Sequence, residues 1–404
     1  MRHIYFDHAS TTATDPVVAN AMLDYMTTKF GNPSSPHYFG RQVRKEVVDA
    51  RQQLADLIGA TADEIFYTSG GSESDNFALK GIAFANQKKG NHIITTQIEH
   101  HAVLHTCQWL EKHGFTVTYL PVDEFGLVSV EAVKQAITDK TILISVMFAN
   151  NEVGTIEPIV EIAALAKEKG IYFHTDAVQA VSHVPIDVKA MNIDLLSLSG
   201  HKFYGPKGIG ALYIRRGVKI ETVQHGGAQE RKLRAGTENV PAIVGLGIAA
   251  QKALSELKTE KNRLESLRDK LIQGIEAKIP DAKLNGHRLQ RLPGNVNFSF
   301  RFVEGESLLL TLDMKGIAAS SGSACTSGSL DPSHVLLAMG LTHEVAHGSL
   351  RLTLGRENTE ADIDYMLEVL SEIVARLRSM SPLNEEHTTG IMASEGKTYQ
   401  KANG

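Results

Sequence analysis

The sequence predicts an α/β protein built on a mostly parallel sheet, and two features of its pattern lead to that class. Short apolar runs rich in β-branched residues alternate with segments whose apolar residues recur at helical spacing. Several of the short runs are apolar on consecutive positions, which is typical of strands covered on both faces. Because 404 residues exceed one ordinary core, we expect two domains.

The expected strands of the first domain share this short, apolar composition and lie at 93–95, 117–120, 142–147, 172–175, 195–197 and 210–214. Helical spacing at 130–137 and 160–169 separates some of them, as the crossovers of a parallel sheet require. A long, charged helical region from 240 to about 278 then leads to a smaller domain, which contains an expected strand at 295–300 and an amphipathic helix at 361–378.

These elements set the predicted domain boundaries. We place the large domain at 16–258 and the small domain at 1–15 together with 259–380. The polar, Gly-containing segment 381–404 is expected to be a mobile tail.

The composition excludes several functional classes. The net charge is −5, and no block of like charges suggests direct binding to nucleic acid or to a membrane surface. Two cysteines, Cys107 and Cys325, make neither a disulfide framework nor a zinc site, so we expect no metal. The first residues lack the apolar stretch of a signal peptide. We therefore expect a cytoplasmic protein with reduced thiols.

A lysine and an aspartate are the most informative candidate residues. Lys202 lies in the segment 199–202, directly after the expected strand 195–197, and Asp176 ends another apolar run. A lysine amine that forms a Schiff base and a carboxylate that holds a pyridinium nitrogen are the two groups that a pyridoxal phosphate enzyme requires. Alternatively, Asp176 is a helix N-cap. Lys207 is a competing lysine, although its setting between proline and glycine favours an exposed turn.

A second group of candidates suits a phosphate. Gly71 and Ser72 follow an apolar run and open a helix-like segment, so backbone N–H groups, a hydroxyl and a helix N-terminus converge there. Ser199 and His201, beside the lysine, would add further donors. The alternative for the glycine segment is an ordinary turn with a serine cap.

Three more residues are placed to contact a flat ring. His100 follows the expected strand 93–95, where sites form in parallel sheets, and would stack on a ring or move protons. Asn151 follows the strand at 142–147, and Gln179 lies one helical turn after Asp176. For His100 and Asn151 the alternative is a polar loop or a plain turn.

The remaining candidates lie in the C-terminal half. Cys325 is surrounded by small residues, a setting that favours a reactive thiol on a flexible loop, whereas Cys107 in a helix-like segment favours a structural role. Arg351 lies in an apolar stretch and would bind the carboxylate of an amino acid or form a structural salt bridge. The polar loop 226–239 is long enough to reach a neighbouring subunit, and is otherwise a surface loop.

Taken together, these residues resemble the class I cysteine desulfurases, the NifS/IscS family. The resemblance runs in order through most of the chain, at 5–12, 31–35, 99–100, 151–154, 176–179, 199–202, 234–239 and 321–325, and ends near Arg356. It implies a pyridoxal phosphate enzyme of fold type I, in the aspartate aminotransferase superfamily. Such a fold has a large domain with a mostly parallel, mixed seven-stranded sheet and a smaller α+β C-terminal domain. The resemblance also implies a homodimer.

The resemblance also implies a role for each residue at a matching position. Lys202 would be the Schiff-base lysine, which also takes the proton from the substrate, with Asp176 on the pyridine nitrogen. Gln179 and Asn151 would contact the ring oxygen, and His100 would stack on the ring.

The phosphate would be held by Ser72 with its neighbour Gly71, by Ser199 and His201, and by the partner subunit's Thr237. Arg351, with Asn151, would bind the carboxylate of L-cysteine. Cys325, in a loop at about 320–332, would accept the sulfur as a persulfide and pass it to an acceptor for iron–sulfur cluster assembly or tRNA thiolation.

Two other kinds of function are also compatible with parts of the pattern. Another pyridoxal phosphate reaction, such as transamination or selenocysteine lysis, would share Lys202 and Asp176, but transamination has no need of Cys325. A non-catalytic sulfur carrier or scaffold on a decayed fold is the second, and the presence of Lys202 argues against it.

Overall fold

The computed structural model describes residues 3–321 and 332–381, which divide into two compact units. The small unit contains residues 3–7, 264–285, 294–321 and 332–381, and the large unit contains residues 8–263 and 286–293. Cys325 and most of the predicted tail lie outside the described residues.

The helices, numbered along the chain, are α1 Pro16–Thr27, α2 Tyr38–Ile58, α3 Gly71–Asn86, α4 His101–Glu111, α5 Val130–Ala136, α6 Ile159–Lys169, α7 Val240–Lys278, α8 Gly305–Met314, α9 His334–Ala338, α10 His343–His347 and α11 Glu360–Met380. The strands are β1 Ile4–Tyr5, β2 Ile65–Thr68, β3 His92–Thr96, β4 Thr116–Leu120, β5 Thr141–Ser145, β6 Tyr172–Asp176, β7 Leu195–Ser199, β8 Gly210–Ile214, β9 Ala282–Leu284, β10 Asn295–Phe300, β11 Ile317–Ala318 and β12 Ser349–Thr353.

A seven-stranded sheet organises the large unit, in the order β2-β8-β7-β6-β5-β3-β4. The strands from β7 to β4 are parallel, and β8 is antiparallel to both of its neighbours. The predicted mostly parallel, mixed sheet is confirmed. Strand β2, which sequence analysis treated only as an apolar run before a turn, is its edge strand.

Alternating residues of the sheet enter two different cores. Ile94 and Ile144 belong to one apolar cluster, and their chain neighbours Ile93 and Leu143 belong to another. Because successive side chains of a strand point to opposite faces, helices must cover both faces. This explains why the strands are apolar on consecutive positions.

The small unit is α+β, as predicted. Strands β12, β10 and β9 form an antiparallel sheet, and β1 pairs with β11 in parallel. Helices α8 and α11 and the last turns of α7 contribute leucine, isoleucine and valine side chains to a separate apolar core. Phe298 and Phe300 of β10 are almost fully buried in it.

The division of the chain differs from the predicted boundaries at three places, of which the smallest is residues 259–263, which stay with the large unit. Residues 8–15 belong to the large unit, since Thr12 N–H donates to the carbonyl of His201 and Asp15 N–H donates to that of Tyr204. Residues 286–293 also return to the large unit, where Leu292 N–H donates to the carbonyl of Gly154. Local periodicity does not reveal that these two segments belong to the large unit, because both assignments depend on partners far away in sequence.

Among the described residues, α7 alone is long and apolar enough to cross a membrane by length and composition. In its most apolar window 56% of the residues are buried inside the protein. A core helix passes the same test, and we interpret α7 in that way.

Candidate active site

The candidate site of the large unit lies where β6 and β7 end. The two strands are parallel neighbours, and Asp176, the last residue of β6, lies opposite Ser197. Strand β7 leads directly into a short 3-10 turn, Gly200–Lys202. Parallel strands present their carboxyl ends at one edge of the sheet, where sites form in α/β proteins. Local sequence therefore places Asp176 and Lys202 at the same edge.

The amine of Lys202 is held by backbone from the start of the large unit. Its Nζ donates to the carbonyl of Ala9 at 2.6 Å and to that of Ser10 at 2.7 Å. Gln179 Nε2 donates to the same Ala9 carbonyl at 2.8 Å. The structure thus brings Lys202 and Gln179 together through a segment that sequence analysis assigned to the other domain.

Asp176 is buried, and its environment favours a cation beside it. Burial raises the pKa of Asp176 to about 6, while the Val178 N–H bond at 2.9 Å and the charge of Lys202 act in the opposite direction. At neutral pH the group is ionised, and a protonated ring nitrogen would stabilise that charge further. The N-cap alternative is also partly realised, since Asp176 accepts the Val178 N–H.

A buried polar network lies behind Asp176, and sequence analysis missed it. His174 Nδ1 is 2.8 Å from Ser145 Oγ, and its Nε2 is 3.0 Å from Ser197 Oγ and 3.7 Å from Asp75 Oδ1. Burial lowers the pKa of His174 to about 3, so its imidazole is neutral. Burial, and then the charge of Asp176, raise the pKa of the Asp75 carboxyl well above its usual range.

The signal that would have found this network is polarity inside apolar strands. Ser145, His174 and Ser197 each interrupt a run that is otherwise covered on both faces. Buried polar groups require partners, so three of them on neighbouring strands predict one network.

A cavity of about 390 Å³ lies beside these strand ends and is called the anion cup here. The described residues that line it are Thr11, Ser69, Gly70, Gly71, Ser72, Glu73, Ser199, His201, Lys207 and Gly208. Gly70 has a φ of +154°, which favours glycine, and it turns the chain from β2 into the N-terminus of α3. The predicted phosphate residues Gly71, Ser72, Ser199 and His201 are therefore together.

Thr11 and Lys207 line the anion cup although the sequence did not predict them as phosphate contacts. Thr11 Oγ1 lies 3.0 Å from His201 Nδ1. Lys207, which the sequence placed in an exposed turn, is exposed and still lines the cavity, with its Nζ 3.4 Å from the Thr12 carbonyl. Burial, then Lys202 and Lys207, lower the pKa of His201 to about 4. His201 is neutral at physiological pH, so Lys207 is the only cationic lining residue among those described.

The candidate ring contacts His100 and Asn151 follow strands β3 and β5, and their contact with a ring stays a prediction. His100 is the N-cap of α4, and its Nδ1 accepts the Ala102 N–H at 3.1 Å, which leaves the proton of the neutral ring on Nε2. Asn150 is fully buried and holds its own turn, accepting the N–H groups of Glu152 and Val153. Its neighbour Asn151 is only half-buried.

Among the described residues of the small unit, Arg351 on β12 is the one candidate. It is 1% exposed, and its guanidinium donates to Asp7 Oδ1 at 3.0 Å. The salt-bridge alternative is thus realised, and the carboxylate-binding role stays a prediction. Thr237 is exposed and does not line the anion cup of its own chain. Cys325 lies outside the described residues.

The residues fit pyridoxal phosphate. Hydroxyl groups, a helix N-terminus and a lysine form a cavity for a dianion, and an ionised carboxylate and an amine end the adjacent strands. The Cβ of a residue replacing Gly71 would meet Val178 Cγ2 at 2.6 Å, so close packing holds the cup against the segment that anchors Asp176. This arrangement on an α/β sheet places the protein in the class of pyridoxal phosphate enzymes.

Comparison with known proteins identifies the family to which the chain belongs within this class of enzymes. The model of the class-V aminotransferase family matches residues 4–366. A cysteine desulfurase IscS from Clostridium botulinum is 63% identical over 388 residues, which cover 96% of this chain and 98% of that protein. A solved NifS-like protein is 39% identical with a TM-score of 0.87, covering 92% of this chain and 99% of its own.

A third relative was solved with an amino acid. The structure described as SspA in complex with cysteine is 39% identical to this chain, with a TM-score of 0.77, and covers 87% of this chain and 98% of its own. The chain belongs to the class-V aminotransferase family, and within that family it groups with the cysteine desulfurases.

Proposed function

We propose that this protein is a pyridoxal phosphate-dependent cysteine desulfurase that converts L-cysteine to L-alanine and transfers the sulfur to Cys325. The observation that carries the proposal is the combination of Lys202, Asp176 and the anion cup at one sheet edge, in a chain 63% identical to a cysteine desulfurase. The same edge offers Gln179 and His100 to orient a ring.

When bound, pyridoxal phosphate supplies an electron sink for charge that develops at the Cα of the amino acid. Lys202 Nζ takes the Cα proton and later returns a proton to the substrate. Asp176, ionised at neutral pH, would keep a proton on the ring nitrogen. We also propose, as the resemblance implies, that the guanidinium of Arg351 binds the substrate carboxylate.

The sulfur transfer balances without any outside oxidant. The Cys325 thiolate attacks the sulfur of L-cysteine, an S–S bond forms, and the Cβ–S bond breaks with its electron pair going to carbon. Cβ takes up a proton, so the products are L-alanine and a Cys325 persulfide. An acceptor thiol then removes the outer sulfur.

The wider assignments rest on the resemblance. We propose a cytoplasmic homodimer in which the partner subunit's Thr237 completes the cup. We also propose that the acceptor serves iron–sulfur cluster assembly or tRNA thiolation.

Replacing Cys325 tests the proposal. We expect Cys325→Ala to retain the visible absorbance of the lysine-bound cofactor but to lose both alanine formation and the protein persulfide. Cys107→Ala is the matched control, because Cys107 is buried in α4 and burial raises the pKa of its thiol, which keeps it protonated. This control should form alanine and persulfide.

Three results would contradict the proposal. Full alanine formation by Cys325→Ala would favour a reaction that needs no acceptor thiol, such as selenocysteine lysis, whereas conversion of L-cysteine to a keto acid without alanine would favour transamination. A wild-type protein with no visible cofactor absorbance would favour a non-catalytic scaffold.

A further inference from the structure

A carboxylate lines the anion cup, which is an unfavourable place for a negative charge. Glu73 lies in the first turn of α3, and its Oε2 accepts the Ser69 N–H at 2.6 Å. This bond fixes the turn that leads into the cup. A phosphate dianion bound in the same cavity would be repelled by the ionised carboxylate.

The net charge of the lining side chains determines how strongly the cup attracts an anion. Lys207 contributes one positive charge, Glu73 contributes one negative charge, and His201 is neutral because its pKa is lowered to about 4. Without another cation, the charges of Lys207 and Glu73 would cancel, and the lining side chains would have no net positive charge to attract a phosphate.

Arg234 supplies that cation from outside the lining. Its Nε donates to Glu73 Oε1 at 2.8 Å and its Nη2 donates to Glu73 Oε2 at 3.1 Å, which is the bidentate geometry of a strong arginine–carboxylate pair. Burial works against the charged form of Glu73, and the bonds to Arg234 and Ser69 outweigh it and lower the pKa of the carboxyl. Arg234 thus keeps Glu73 ionised and at the same time balances its negative charge.

The segment that carries Arg234 is itself anchored. Glu230 accepts two bonds of 2.7 Å from Arg51 and one from the Tyr67 N–H, and it is nearly buried. Gln224 Nε2 donates to the carbonyl of Ala235, next to Arg234. The guanidinium therefore approaches Glu73 from a fixed backbone.

We infer that Arg234 is a positioning residue for the cofactor phosphate, and that it acts by cancelling the charge of Glu73 in the anion cup. This inference deepens the proposed function and rests on it. It assigns to the segment 226–239 a role within its own protomer, besides any contact with a second copy.

The test measures the affinity of the full-length protein, freed of cofactor, for pyridoxal phosphate and for inorganic phosphate. We expect Arg234→Met to weaken both affinities by about tenfold, the scale of one uncompensated charge at a partly exposed site. High salt should reduce the difference from wild type, because it screens the exposed part of the repulsion.

A second substitution separates charge from structure. Glu73→Gln keeps an acceptor for the Ser69 N–H and removes the charge, so the double variant Glu73→Gln/Arg234→Met should recover most of the lost affinity. Arg216→Met is the control for loss of an arginine, because Arg216 pairs with Asp63 at the surface away from the cup. It should bind both probes like wild type.

Two outcomes would overturn the inference. Binding of both probes by Arg234→Met as tightly as by wild type would remove the electrostatic role. Binding by the double variant as weak as that of Arg234→Met would make the role of Arg234 purely structural. In either case, alanine formation by the wild-type protein would leave the desulfurase function standing.

Discussion

The surroundings of two buried aspartates, Asp176 and Asp75, affect the ionised forms of their carboxyls differently. Asp176 and Asp75 are both nearly inaccessible, but Asp176 receives the Val178 N–H and the field of Lys202, which favour its ionised form. Burial, and then the charge of Asp176, drive the pKa of the Asp75 carboxyl well above its usual range. One carboxyl is therefore suited to a ring cation, and the other is a neutral neighbour in the His174 network.

This difference predicts unequal effects of two matched substitutions. Asp176→Asn should lower the turnover of L-cysteine by about 10²-fold or more, the scale of a lost electrostatic contribution to transition-state stabilisation. Asp75→Asn replaces a neutral carboxyl with a neutral amide, so its turnover should stay within a few-fold of wild type. Steady-state alanine formation at saturating cofactor measures both. Equal losses in the two variants would refute this assignment.

At the scale of elements, the anion cup depends on how closely β8 approaches the turn before α3. Gly210 of β8 pairs with Thr68 on one side and with Ser199 on the other. These partners lead into the two halves of the cup. A Cβ at position 210 would meet the Leu198 carbonyl oxygen at 2.5 Å and the Cα of Gly70 at 2.7 Å. Only glycine fits without moving the turn.

Gly210→Ala should therefore weaken pyridoxal phosphate binding and destabilise the protein by about 1–3 kcal/mol, the usual cost of overpacking. Gly114→Ala is the control, because Gly114 has a positive φ of 91° and nothing within 4 Å of an added Cβ. The control should lose about 1 kcal/mol of stability through backbone strain and keep its cofactor affinity. Cofactor titration and urea unfolding separate the two effects, and unchanged affinity in Gly210→Ala would contradict this account.

At the scale of the whole molecule, buried acids make stability depend on pH. Glu157 is 3% exposed and accepts the Val128 N–H, and burial raises its pKa to about 8. Glu99 is fully buried, and its pKa is likewise raised to about 8. In the unfolded chain both groups release their protons near a pH of about 4.3.

Between about pH 4.3 and pH 8, each of these two carboxyls holds a proton in the folded state that it has lost in the unfolded state. Each group therefore contributes stability that is fully present at low pH and disappears as the pH rises through about 8, with a slope of up to about 1.4 kcal/mol per pH unit. Glu157→Gln should remove its share, so the variant should lose less stability than wild type between pH 5 and 8. Urea unfolding across that range measures the difference, and parallel profiles would refute it. Glu131→Gln, on the exposed face of α5, should follow wild type.

Much of the site was predictable because it follows strand ends. His100, Asp176 and Lys202 each come directly after an apolar run, and parallel strands bring such positions to one edge. Thr11, Glu73 and Arg234 could not be found in this way. Their roles depend on contacts with residues 161 or 190 positions away in the chain, which local spacing does not encode.

The sequence by itself determined the fold class, the residue types of the site and the family, because hydrophobic periodicity and short motifs are local properties. Tertiary structure alone decided that residues 8–15 belong to the large unit, that Lys207 lines the anion cup, and that Arg234 neutralises Glu73. The physical reason is that charge, burial and pKa depend on all neighbours in space. Those neighbours are set by the order of strands in the sheet rather than by their order in the chain.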